Sequence, residues 1–97
     1  MNPFERWLSK ARSYKAVFGA DELSRTPAQK EVLADLAKLC NAQKPSLRFA
    51  DGKIDVHATM VSEGRREVFL RIIGQCNITE QQIYQYMQAA EGRINND

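Results

Sequence analysis

The chain has 97 residues, 43% of them apolar and 27% charged, with a formal net charge of +2. That length supports one domain over residues 1–97 with one core, and so small a net charge does not by itself call for a nucleic-acid partner. No apolar run approaches the ~20 residues of a membrane span, and Cys40 and Cys76, both set in apolar helical patterns, supply no disulfide scaffold.

The first eighteen residues predict an amphipathic helix. Asn2 can cap it and Pro3 suits the first helical position. Phe4, Trp7, Leu8, Ala11, Tyr14 and Phe18 share one arc at helical spacing, while Arg6, Lys10, Arg12 and Lys15 line the other faces against Glu5 alone. Two expectations compete for this segment: a first core helix with a basic back, or a docking face for a partner. In a mixed form Phe4 and Trp7 are exposed while Phe18 anchors the core. Gly19 is the expected stop, and the residues before it carry no secretory pattern.

Residues 20–26 read as a polar connector. A second helix starts at Thr26, with Pro27 in the first position and Gln29 at capping-box distance. Val32, Leu33, Leu36, Leu39 and Cys40 form its expected buried stripe, and Asn41 ends the pattern. Within residues 41–56, Leu47, Phe49, Ile54 and Val56 alternate with polar residues around the Asp51-Gly52 turn. This predicts either a short β-hairpin or a loop whose Leu47 and Phe49 plug the core.

A third helix is expected from Asp55 or His57 to Cys76, with Val61, Val68, Phe69, Ile72, Ile73 and Cys76 on its apolar arc. Gly64 suggests a bend or a close helix crossing. Arg65 projects into that arc, so a carboxylate on the second helix, Asp35 or Glu31, is the expected partner of a tucked-in guanidinium. The fourth helix starts at Thr79, with Gln82 three residues on and an Ile78–Ile83 staple. Its expected inward stripe is Ile83, Tyr84, Met87 and Ala90, with a frayed end from Gly92. Tyr84 and Tyr86 fall on different faces, which makes Tyr86 a candidate exposed anchor. The fold class expected from these elements is all-α: about four helices, with a loop or hairpin between the second and third.

Catalytic and cofactor chemistry has little support. His57 is the only histidine; Asp51, Asp55 and His57 lack a second ligand group at a diagnostic spacing. A Cys–His pair from Cys40 or Cys76 would need thiols that instead read as small core residues. There is no phosphate-cradling glycine loop. The expectation is no enzyme, no metal and no cofactor. Specific nucleic-acid binding is also disfavoured, because Glu63 and Glu67 flank Arg65-Arg66 and the amide-rich fourth helix has no Lys or Arg before Arg93. Protein–protein interaction remains. Phe4, Trp7, Lys10, Tyr14 and Tyr86 are its candidate contact residues, and a second copy of the chain is among the candidate partners.

The runs Met1–Leu8, Tyr14–Gly19, Val32–Ala37 and Glu63-Gly64-Arg65-Arg66-Glu67-Val68 occur in the same order in a family of small tailed-phage proteins, typified by a protein of a Bordetella podophage. The chain resembles that family over residues 1–90, and departs from its pattern in residues 20–26 and 41–55. The resemblance implies a phage origin and a helical domain, and suggests a role in the virion or its assembly. On that basis the expected function is a virion-associated protein-binding domain. The alternative is an early host-takeover factor binding a host enzyme or nucleic-acid complex. The expected location is the host cytoplasm or the particle.

Overall fold

Each helix begins where the sequence supplies a cap. Asn2 Oδ1 accepts from Glu5 N at 2.8 Å, Thr26 Oγ1 from Gln29 N at 3.1 Å, Asp55 Oδ1 from Ala58 N at 3.0 Å and Thr79 Oγ1 from Gln82 N at 3.1 Å. Glu5, Gln29 and Gln82 return the bond to the cap backbone, so three of these are reciprocal boxes. In this computed structural model, which describes residues 1–40 and 47–95 (the last three by backbone alone), the helices are α1 (Pro3–Phe18), α2 (Pro27–Leu39), α3 (Val56–Cys76) and α4 (Glu80–Asn95). Caps of this kind contribute roughly 1 kcal/mol each.

Between α2 and α3 lies a two-stranded antiparallel hairpin, β1 (Phe49–Ala50) and β2 (Lys53–Ile54), pairing Phe49 with Ile54 and Ala50 with Lys53. Asp51 and Gly52 both take positive φ, 53° and 76°, as a two-residue turn of the primed kind requires. The hairpin is therefore formed, but it does not plug the core: Leu47, Phe49 and Ile54 are exposed. The expected end of α2 at Asn41 lies outside the described residues. Its last helical residue is Leu39, and Cys40 caps it.

α2 packs chiefly on α4 and α1 on α3, with smaller contacts from α1 and α3 to α2. The core gathers Leu33, Ala34, Ala37 and Cys40 of α2, Phe69 and Cys76 of α3, and Ile78, Ile83 and Tyr86. Tyr14 and Phe18 pack against it from α1. The body is flat, 49 × 43 × 18 Å, with a radius of gyration of 15.8 Å, against ~12–13 Å for a compact chain of this length.

Several expected faces are turned. On α2, Ala34 and Ala37 are buried while Val32 and Leu39 face solvent, because the alanines let α4 approach closely. On α3 the buried line is Ser62, Phe69 and Cys76, and Val61 and Val68 are exposed. On α4, Tyr86 is buried and Tyr84 exposed, the reverse of the expected pair, and the helix continues through Gly92. α3 runs unbroken through Gly64, where a Cβ would meet nothing within 4 Å, so no helix crosses there.

Candidate interaction site

α1 contributes no fully buried residue. Its C-terminal half holds Tyr14 and Phe18, ring centroids 6.4 Å apart, against the core. Its N-terminal half is different. Phe4 is 66% and Trp7 57% exposed, and their rings stack at 6.3 Å, leaving an aromatic ridge with nothing over it. Arg6, Lys10 and Arg12 are exposed on the same helix. The structure thus gives α1 the mixed form: core at one end, open aromatic face at the other.

The connector that follows is a built element. Asp21 Oδ1 accepts from Ser24 N at 2.9 Å and Ser24 Oγ accepts from Asp21 N at 3.1 Å, a reciprocal turn that short polar side chains favour. It leaves Leu23 at the tip, 98% exposed. It also folds Arg25 inward. Arg25 is 5% exposed and donates Nε to Phe18 O at 3.2 Å, Nη2 to Cys76 O at 3.1 Å and Nη1 to Tyr86 Oη at 3.4 Å. Gln29 Nε2 adds a bond to Val17 O at 3.1 Å, so two of the carbonyls at the end of α1 are satisfied by side chains. Glu22 completes the cluster, with Arg25 Nη1 at 3.7 Å, Lys30 Nζ at 3.1 Å and the Tyr86 hydroxyl donating to its Oε2.

The charges settle accordingly. The hydroxyl of Tyr86, more than any other group, holds the Glu22 carboxyl below its usual value, with Lys30 and Arg25 adding to the effect. Burial, followed by the Glu22 carboxylate, pushes the Tyr86 hydroxyl up. Lys30 Nζ lies 5.8 Å from the centre of the Tyr86 ring. Tyr86 is therefore 4% exposed and a core residue, not a surface anchor.

The other candidates are placed as follows. Lys10 is exposed on α1 and Tyr14 half-buried. Arg65 is exposed, and among the described residues it pairs with neither Asp35 nor Glu31. It borders an open cleft with Arg48, His57, Ala58, Val61 and Ser62. Its angular position beside buried Ser62 is as the helical wheel requires, but it lies at the edge of the open cleft next to exposed Val61, so the guanidinium meets water. The buried arginine is Arg25 instead. Periodicity could not find it, since it lies outside every helix; its place just before the Thr26 cap, where staples pack, was the available signal.

Burial pushes both the Cys40 and Cys76 thiols up, which leaves them poor nucleophiles. Among the described residues no three His, Cys, Asp or Glu side chains come together as a metal donor set. No described helix is long and apolar enough to cross a membrane.

The model of the Bbp19-like phage protein family matches residues 14–89. The chain belongs to that family. The match covers Arg25, Glu22, Lys30 and Tyr86, and begins after Phe4, Trp7 and Lys10, later than the expected start at residue 1. No curated protein and no solved structure matches the chain.

Proposed function

We propose that this Bbp19-like phage protein is a non-enzymatic protein-binding domain of the phage particle or its assembly. The observation that carries this reading is the open half of α1: two stacked aromatics, more than half exposed, on a helix that also exposes Arg6, Lys10 and Arg12. Aromatic and arginine side chains of this kind are the usual anchors of protein interfaces. Family membership supplies the phage setting. The Arg25 cluster supports the fold at the far end of α1 from this face and offers no open reacting position.

Mass spectrometry of purified virions tests the setting. The chain is expected in fixed proportion to the major structural proteins. Its absence from particles together with abundance in early lysate would overturn the virion reading and favour a host-directed binder.

A further inference from the structure

α2 and α4 leave a groove of about 440 Å³ between them. Its apolar lining comes from Ala28, Val32, Ala34, Met87 and Ala90, where small side chains keep the floor low and Met87 can adapt to an aromatic guest. Among the described residues the rim carries Glu31, Asp35 and Glu91, with one cation, Lys38. The groove is thus apolar at the bottom and mainly acidic at the edge.

The open half of α1 has the complementary chemistry. Phe4 and Trp7 supply the apolar ridge, and the same helix exposes Arg6, Lys10 and Arg12 against Glu5 alone. In its own chain α1 is held on α3 and α2. We infer that the groove between α2 and α4 receives the Phe4–Trp7 ridge of a second copy of this chain.

The exposed area points the same way. The chain leaves 7104 Å² accessible, where a folded monomer of its mass would expose ~5,600 Å². The surplus of ~1,500 Å² per chain is of the size each partner buries in an obligate homodimer, at 2,000 Å² or more in total. A partner of unrelated sequence would need the same acid-matching aromatic helix, which this chain already carries. The contact joins two different patches, so it closes as a reciprocal pair, repeats around a ring or extends as an open filament.

This inference rests on the reading of α1 as an interaction element and is independent of the particle, so its test uses purified protein alone. Trp7 is the sole tryptophan, which makes its fluorescence an unambiguous reporter of docking. On raising the protein concentration, light scattering should rise from 11.0 kDa to a multiple of it, with a blue shift of Trp7 emission. The Phe4→Ser/Trp7→Ser variant and the Asp35→Arg/Glu91→Arg variant should each stay monomeric, with helical circular dichroism showing that both are folded. Mixing the two is the decisive step. All tryptophan emission then comes from the groove variant, and it should shift blue as its intact ridge enters the intact groove of the other chain. A wild-type chain that stays monomeric with solvent-like Trp7 emission overturns the inference. So does an assembly that survives either variant, or a mixture of monomeric variants that gives no shift. None of these outcomes bears on whether the chain is found in virions.

Discussion

Arg25 donates to the hydroxyl of Tyr86 across 61 residues of sequence, joining the connector after α1 to the middle of α4. The same guanidinium holds the last carbonyl of α1 and the last carbonyl of α3. One side chain therefore reaches the ends of two helices and the flank of a third. In a chain whose α1 buries no residue completely, such a clamp does much to fix where α1 sits.

Replacing Arg25 should be among the most damaging single changes in the protein. Arg25→Ala leaves the buried Cys76 O and the part-buried Phe18 O without these donors, and an orphaned buried acceptor costs roughly 1–3 kcal/mol. A loss of about 3 kcal/mol in urea unfolding is expected, a large share of the stability of so small a domain. Arg25→Lys should recover little, since an ammonium cannot reproduce the planar fork that reaches three separate acceptors. A near-wild-type midpoint for Arg25→Lys would mean that charge alone, and not the fork, holds the cluster.

The cluster also sets how stability varies with pH. The Glu22 carboxyl is held down in the fold, mainly by Tyr86, so its contribution is present above the ordinary carboxylate value. It is lost as pH falls through the lowered folded value. The Tyr86 hydroxyl is held up, so its contribution is present below the usual tyrosine value and disappears as pH rises through the raised one. Thermal melts of Glu22→Gln should show a shallower acid limb than wild type, and Tyr86→Phe a shallower alkaline limb. At neutral pH Tyr86→Phe should cost about 1–2 kcal/mol for its lost hydrogen bonds. Unchanged limbs in both variants would separate the cluster from the pH dependence.

The helices were legible because their starts are written locally. Thr26-Pro27 with Gln29 and Thr79 with Gln82 need only neighbouring residues, and the structure places caps at both. Asp51-Gly52 likewise encodes its own turn. Which face each helix buries was less legible, because that is decided by a distant partner. α4 sits on Ala34 and Ala37 where Val32 and Leu39 were expected to face inward, and Phe69 and Ser62 define the buried side of α3. Arg25 was invisible to periodicity because a connector has no period. The Phe4–Trp7 ridge was legible as an alternative, and its exposure follows from nothing being packed over the first turns of α1.

Gly19 is required by the clamp. It takes φ 93°, and a Cβ there would collide with Arg25 Cγ and press on Arg25 Cα at 3.3 Å. The backbone atom cannot swing aside, and left-handed φ is costly for any other residue. Gly19→Ala should therefore destabilise by about 1–3 kcal/mol, visible as a fall of roughly 4–8 °C in Tm per kcal/mol. The control is Gly64→Ala, where a Cβ meets open space inside α3. There helix propensity should raise stability by somewhat less than ~1 kcal/mol. A neutral Gly19→Ala would show that Arg25 can leave its seat without loss.

Arg65 supplies the contrast that tests the assignment of the buried arginine. It sits in the charge-dense run that draws attention in the sequence, yet it is exposed at the edge of an open cleft. Its electrostatic reach includes Cys40, whose thiol its charge lowers slightly against the larger effect of burial. An exposed side chain without an ion pair among the described residues contributes little to folding, so Arg65→Ala should lie within ~0.5 kcal/mol of wild type. Asp35→Ala should be equally mild for the monomer, and the double variant Arg65→Ala/Asp35→Ala should equal the sum of the two, because residues that do not touch do not couple. A coupling energy above ~1 kcal/mol in that cycle would restore Arg65 as the lock between α2 and α3. Additivity, set beside the large loss in Arg25→Ala, assigns the lock to the connector.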